Sequence, residues 1–296
     1  MKFQEFYKFE NDEGDSLKFQ ILNLLEKYNI SLDPDYKDQH LLISKEAINQ
    51  LVDSAELNSN DIILEIGPGP GQITEVIAQK TGMVYAVEID KRFKPILEDL
   101  QKKYKNLEII FGSILDIKWP QVNKVISNPP FSILEPLIER IVKEKKIKLC
   151  SFIIGEKYYQ RCVLKDRETR TSLITKAFFD IKLISYVSKE KFLPQSREEA
   201  VIMKLLRKDK KRSDFALKLL VSRMINTPNE SVIGLLRDII NERVNLRNIN
   251  NYENIPTVKS LNIPDSTLRK SLRDLNNMDI NILARTIRLL TLKRKF

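Results

Sequence analysis

Two short stretches of this 296-residue chain carry residue types at spacings that could do chemistry. The first runs D-I-I-L-E-I-G-P-G-P-G-Q-I-T from Asp61 to Thr74. An apolar run with one acid, Glu65, stops at the alternate glycines Gly67, Gly69 and Gly71, and a helical pattern follows. Strand, glycine turn and helix open a doubly wound α/β domain, where ligands bind beyond the carboxyl ends of the strands. The spacing is G-x-G-x-G, and Gln72 stands where the dinucleotide fingerprint needs its last glycine, which argues against NAD and flavin. Glu88 ends a second apolar run, Met83 to Val87, 21 residues after Gly67. An acid there can accept hydrogen bonds from both hydroxyls of a ribose.

The second stretch follows the apolar run Val122 to Ser127 and reads Asn128-Pro129-Pro130-Phe131. Methyl transfer to an exocyclic amine is hindered because the nitrogen lone pair is delocalised into the ring. Two acceptors on the amine hydrogens favour a tetrahedral nitrogen whose lone pair can attack. The Asn128 side-chain oxygen and the Pro129 carbonyl suit that task, and the prolines stiffen the turn. Phe131 offers a face for a base drawn out of its stack. The same four residues alone would also describe a proline-rich turn with a core phenylalanine.

With these residues in view, the chain resembles the ribosomal RNA adenine N6-dimethyltransferases and their macrolide-resistance relatives. The likeness runs from Gln39 to about Arg207, and more loosely to the end. It includes Q-H-L-L at 39–42, E-I-G-P-G-P-G at 65–71, V-E-I-D at 87–90, G-S-I-L at 112–115, N-P-P-F at 128–131 and F-L-P-Q-S-R-E-E-A-V-I at 192–202. The resemblance implies S-adenosyl-L-methionine as cofactor, held by His40, Leu42, Gly67, Gly69, Glu88, Ile89, Ser113 and Asn128. It implies that Asn128, Pro129 and Phe131 grip the target adenine, and that residues 39–42 close over the cofactor. Three positions depart from the family pattern, which has Asn at His40, an acid at Ser113, and Leu or Ile at Pro129. The double proline is similar to the wider amino-methyltransferase motif, so DNA or another RNA stays open as substrate. A ribosome-assembly or transcription factor of this fold without turnover is the alternative from another class.

Charge and composition set the remaining bounds. Fifty Lys and Arg against 40 Asp and Glu give a net charge of +10, spread along the chain. Such a surface suits an RNA phosphate backbone, and a solvated lysine-rich surface reads the same way. The resemblance makes ribosomal RNA or a pre-ribosomal subunit the expected partner of a monomeric enzyme. Cys150 and Cys162 lack metal spacing and do not make a disulfide framework. His40 is the only histidine, so no second one exists for a metal site or relay. Without a signal peptide or a membrane-length apolar run, a cytoplasmic protein is expected.

The elements that must position these residues follow from periodicity. Strands are expected at 62–66, 83–88, 107–111, 122–127, 149–154, 181–187 and 200–206. Helices are expected at 72–80, 92–103, 133–144, 156–164 and 170–178, an alternation that implies a mostly parallel sheet covered on both faces. By resemblance this is an α/β fold, a seven-stranded Rossmann-like methyltransferase domain at 37–208 with a small C-terminal helical domain. An N-terminal extension, 1–36, carries an amphipathic helix from Leu17 to Tyr28 whose apolar face, Phe19, Leu22, Leu25 and optionally Ile21, is expected to pack on the body, with RNA contact as the alternative. Ser44 is a plausible N-cap for the next helix. Lys157, Arg161, Lys165, Arg167 and Arg170 interleave with Tyr158 and Tyr159, a pattern that fits either an RNA guide or a solvated helix face. Residues 209–296 read as helices at 213–226, 230–242, 265–275 and 279–291. Ser213 and Asp265 are taken as caps, Leu283, Ile287 and Leu290 as core, and 243–264 as a loop. In the family such a domain helps to hold RNA.

Overall fold

The computed structural model describes residues 13–33, 38–164, 169–209, 215–245 and 258–292. In chain order these form α1 (Glu13–Lys27), β1 (Leu41–Leu42), α2 (Lys45–Ser54), β2 (Ile62–Ile66), α3 (Gln72–Ala78) and β3 (Met83–Glu88). Next come α4 (Lys94–Lys103), β4 (Leu107–Phe111), β5 (Lys124–Ser127), α5 (Leu134–Lys143), β6 (Leu149–Gly155) and α6 (Glu156–Val163). After them run α7 (Arg170–Phe178), β7 (Phe179–Val187), β8 (Phe192–Leu193) and β9 (Ala200–Arg207). The last helices are α8 (Phe215–Asn226), α9 (Val232–Asn245), α10 (Asp265–Leu268) and α11 (Asn277–Leu292).

Seven strands make one sheet in the order β4-β3-β2-β5-β6-β9-β7. The neighbours from β4 to β6 are parallel, and β9 runs antiparallel to β6. The chain leaves β2 toward β3 on one side and returns to β5 on the other, so the two halves of the sheet diverge at that junction. Apolar runs without alternation produce this layout, because a strand covered on both faces buries every side chain. Strand β6 is buried along its whole length. The core on one side gathers Leu51, Ile63, Ile77, Val84, Leu97, Ile126 and Ile153.

The expected seven strands are all present, with ends within two residues. A second, two-stranded sheet was not anticipated: β1 pairs antiparallel with β8, Leu41 opposite Leu193 and Leu42 opposite Phe192. Two-residue strands lack the length that periodicity needs. Helix α1 packs as expected, but through Leu17, Ile21 and Leu25, while Phe19 is exposed. Positions 17, 21 and 25 are four apart and share one face. Ser44 caps α2, its hydroxyl accepting from Ala47 N at 3.3 Å.

Contacts divide the chain into two compact units: Met1–Val163 with Asp180–Arg207, and Leu164–Phe179 with Lys208–Phe296. In the second unit, Leu173 of α7 joins a core built from α8, α9 and α11, including Leu283, Ile287 and Leu290. The helix expected at 265–275 is instead the four-residue α10 and a short turn, Leu272–Asp274. Pro264, not Asp265, is its N-cap, and Asp265 lies in the first turn. Ser213 and most of the expected 243–264 loop lie outside the described residues. No helix among the described residues is long and apolar enough to cross a membrane.

At the amino ends of β2 and β5, Asp61 knits the sheet together. Its carboxylate accepts from Lys124 Nζ at 2.8 Å, Asn58 N at 2.8 Å and Asn123 Nδ2 at 2.8 Å. Burial works to raise its pKa, yet these donors hold it below the usual carboxylate range. Replacing Asp61 by Ala leaves the largely buried Lys124 ammonium with only the Glu56 carbonyl and strands three amide donors, Asn58 N, Asn58 Nδ2 and Asn123 Nδ2. A loss of about 3 kcal/mol in unfolding free energy is expected, measured by urea denaturation. A loss under about 0.5 kcal/mol, the scale of a surface substitution, would refute the knot.

Candidate active site

The parallel strands deliver Gly67, Glu88, Ser113 and Asn128 to one rim of the sheet, Glu88 as the last residue of β3 and the others just beyond a strand end. There they line a cavity of about 350 Å³ with Gln39, His40, Leu41, Gln72, Ile89 and Pro130. This volume is in the range of small-molecule sites.

The floor of the cavity is the glycine loop. Gly67, Gly69 and Gly71 have φ of 67°, 56° and 90°, in the left-handed region that other residues avoid. A Cβ on Gly71 would also stand 2.7 Å from Leu100 Cδ2 on α4, so the loop sits tight against that helix. Glu88 fastens the loop from the side. Its Oε2 accepts from Gly69 N at 2.9 Å and its Oε1 from Asp90 N at 2.7 Å. Burial raises the Glu88 pKa, against the pull of these two N–H groups.

Beneath the loop lies a polar layer that sequence reading left unassigned. Glu65 is 1% exposed, and burial pushes its carboxyl up to about 8, with a further rise from the Glu88 charge and an opposing pull from Thr74. Glu65 Oε2, Gln72 Oε1 and Thr74 Oγ1 are buried without a hydrogen-bond partner. Gln72 Nε2 donates to Leu42 O at 3.3 Å, so its orphaned oxygen is the half of the amide still open to a donor.

On the other side of the cavity the Ser113 loop is pinned from behind. Ser113 Oγ accepts from Leu115 N at 3.2 Å, which leaves a second lone pair to accept and the hydroxyl hydrogen to donate. Arg140 of α5 donates to Ile114 O at 2.5 Å and to Ile117 O. The same guanidinium lies 4.7 Å from the centre of the Trp119 ring, and Trp119 Nε1 donates to Ile114 O at 2.8 Å. Nothing in the spacing marks Arg140; the lone tryptophan was the one available hint. Asp116, three residues past Ser113, is exposed and does not line the cavity.

At the far end, Asn128 Nδ2 donates to the His40 carbonyl at 2.9 Å. A carbonyl can only accept, so the amide is oriented with Oδ1 away from it. Pro129 is buried and Pro130 lines the cavity. Phe131 lies outside the cavity wall: its Cε2 is 3.4 Å from where a Cβ on Gly155 would be, and Glu198 Oε1 would be 2.2 Å from that Cβ. Only glycine at 155 admits this approach of the Glu198 carboxylate, which also meets Lys157 Nζ at 3.0 Å.

Of the residues expected at the site, Gly67, Gly69, Glu88, Ile89, Ser113, Asn128 and His40 come together. Leu42 does not join them. Its side chain is fully buried in the core, and Leu41, on the opposite side of the strand, faces the cavity. In the basic segment, Arg170 donates to the carbonyls of Met224 and Arg273 at 3.4 Å each within the second unit. Lys165 and Arg167 lie outside the described residues.

This strand order, with a glycine loop and a buried acid at the rim, defines a class of S-adenosylmethionine-dependent methyltransferases. Two solved structures share the fold. One is a dimethyladenosine transferase from Plasmodium falciparum, with TM-score 0.59 and 19% identity, covering 85% of this chain and 98% of that one. The other is the 23S rRNA methyltransferase ErmE, with TM-score 0.55 and 17% identity, covering 82% and 98%. The chain belongs to the ribosomal RNA adenine dimethylase family, whose profile matches residues 31–278. It is similar to the probable ribosomal RNA small subunit methyltransferase A of Pyrococcus furiosus, 32% identical over 200 residues, 66% of this chain and 71% of that one. The corresponding protein of Thermococcus sibiricus is 33% identical over 189 residues, 62% and 67%. The protein is thus an S-adenosylmethionine-dependent rRNA adenine methyltransferase.

The buried Glu65 makes stability depend on pH. Its folded pKa of about 8 lies above the roughly 4.3 of an exposed glutamate, so its contribution is full below about pH 4 and is lost as pH rises toward 8. Replacement by Gln removes that titration. The stability of the native protein relative to Glu65→Gln should therefore fall by a few kcal/mol at most between pH 5 and 8.5. Denaturation midpoints of both proteins across that range test this, and a difference that stays flat would contradict the neutral acid.

Proposed function

We propose that the protein dimethylates adenine N6 in small-subunit ribosomal RNA, within a pre-ribosomal particle, through the rim residues described above. The names of its relatives support the subunit, and the resemblance together with the rim geometry supports the residue roles. The observation that carries the reading is the Asn128 carboxamide, whose nitrogen is spent on His40 O so that an acceptor oxygen is left for an incoming amine.

The cavity fits the cofactor. Three left-handed glycines expose peptide edges where a side chain would block approach, and the orphaned Gln72 Oε1 awaits a donor such as an ammonium group. Gly67, Gly69 and Gln72 would hold the amino-acid end, and Glu88 the ribose hydroxyls. Ile89, 68% exposed at the rim, offers an apolar face to the adenine, and Ser113 its edge. When bound, S-adenosylmethionine supplies a methyl group on a positively charged sulfur, ready for displacement.

The chain's own residues then position and polarise. In the first transfer Asn128 Oδ1 and the Pro129 carbonyl accept from the two amine hydrogens and turn the nitrogen lone pair toward the methyl donor; in the second, one of the two acceptors holds the single hydrogen that remains. Phe131 stacks on the base from outside the cofactor cavity. The basic surface, net +10, draws in the RNA backbone, and the helical unit shares in the grip. The double proline also suits amino-methyltransferases of other nucleic acids, but family membership favours rRNA.

Asn128→Ala should slow methyl transfer by roughly 10²–10³ without loss of fold, since one preorganised polar contact at the reacting group is removed. Single-turnover transfer to small-subunit rRNA measures it, and near-normal turnover would sink the assignment. Ser113→Asp should tighten S-adenosylmethionine binding by about 1–2 kcal/mol. One carboxylate oxygen can keep the Leu115 N–H while the other accepts from the adenine amine with full charge. Calorimetry decides, and weaker binding in the variant would reverse the role given to Ser113.

A further inference from the structure

The strap Asp38–Leu42 crosses from the cofactor side of the cavity to the base side, and outside its short backbone ladder its fastenings are side-chain bonds. On the cofactor side, Gln39 Nε2 donates to Asp90 Oδ2 at 2.9 Å, and Arg92 brackets the same carboxylate while donating to Ser31 O at 2.8 Å. On the base side, Asp38 Oδ2 accepts from Ser132 N at 3.2 Å, just past the Asn128–Phe131 turn. Between them stands His40. Its Nδ1 is 3.0 Å from Pro194 O, and because a carbonyl only accepts, Nδ1 carries the hydrogen. Its Nε2 is 4.0 Å from Asp38 Oδ1. The strap's own ladder with Phe192–Leu193 is only two residues long, too short to hold by itself.

We propose that His40 is the clasp of this strap: its ring ties the strap to the Pro194 carbonyl so that its own backbone carbonyl keeps the Asn128 amide turned with Oδ1 toward the target amine. This rests on the role given to Asn128 above. An asparagine amide presents either an oxygen or an NH2 group, and adenine N6 has only hydrogens to offer. A flipped amide sets donor against donor and loses the polarisation. The His40 carbonyl accepts and cannot donate, so its position selects the productive orientation. His40 is thus a positioning residue for the base side of the site, and the cofactor does not depend on its ring. The bond needs a donor at the δ position of residue 40, which asparagine also carries in its Nδ2, whereas leucine fills similar space without one.

The test compares His40→Leu, His40→Asn and Asn128→Ala in the full chain. Each is measured for single-turnover methyl transfer at saturating cofactor and RNA, and for S-adenosylmethionine affinity by calorimetry. The clasp predicts that His40→Leu slows transfer by up to about 10²-fold, as misplacement by about an ångström can, with cofactor affinity within about twofold of the parent. His40→Asn should restore most of the rate. If His40→Leu loses cofactor affinity in step with rate, His40 is a cofactor contact and the clasp is wrong. If His40→Asn is as slow as His40→Leu, the δ donor is not the feature that matters, and the clasp fails equally. Should His40→Leu not fold, the His40→Asn rate still decides. A slow Asn128→Ala beside a fast His40→Leu overturns the clasp alone, whereas a fast Asn128→Ala overturns the reading of Asn128 beneath it.

Discussion

A parallel strand points its carboxyl end the same way as its neighbours, and the whole site depends on that constraint. Strands β4, β3, β2 and β5 are contiguous and parallel, so four loops that are up to 61 residues apart in sequence open side by side. The junction at β2, where the chain turns first one way and then the other, leaves the gap that becomes the cavity. No loop has to reach far, and each contributes one or two groups: a peptide edge, a carboxylate, a hydroxyl and a carboxamide. The covering helices bury the sheet and hold the strands in register, which fixes the spacing of those groups more firmly than any loop could.

Within that frame, charge is distributed unevenly between two neighbouring acids. Glu65 sits under the glycine loop with an unpartnered oxygen, and burial favours its protonated form. Glu88 sits at the same rim but accepts two backbone N–H groups, which offset part of its burial. Two carboxyls in one buried region resist ionising together, and the backbone donors favour the charged form of Glu88 over that of Glu65. The acid that faces the cavity is the one with the donors.

The sequence disclosed the strands because fully buried β-segments read as unbroken apolar runs, and it disclosed the rim residues because glycine, an acid and N-P-P-F each follow such a run. Leu42 turns its side chain away from the cavity for a related reason: in a strand, neighbours face opposite ways, and a motif names four residues without saying which face is which. The strap's fastenings were not legible at all. Gln39 to Asp90, Asp38 to Ser132 and His40 to Pro194 join positions 51 to 154 residues apart, and no local pattern records such pairs. Phe19 shows the complementary error, since an aromatic in an amphipathic stretch invites a core assignment that helix phase then denies.

Arg140 has a consequence for how the enzyme can vary in length. Leu134, at the start of α5, follows the Asn128–Phe131 turn after Ser132 and Ile133, and Arg140 grips the Ser113 loop from the same helix. Six residues of helix span about 9 Å, so α5 works as a gauge block between the Asn128–Phe131 turn and the Ser113 loop. A substitution on its outer face leaves the gauge unchanged. Inserting or deleting one residue turns Arg140 by about 100° around the axis and lifts it off Trp119. In this chain the loop that follows α5 can therefore lengthen, but the six-residue interval inside the helix is closed to insertion and deletion.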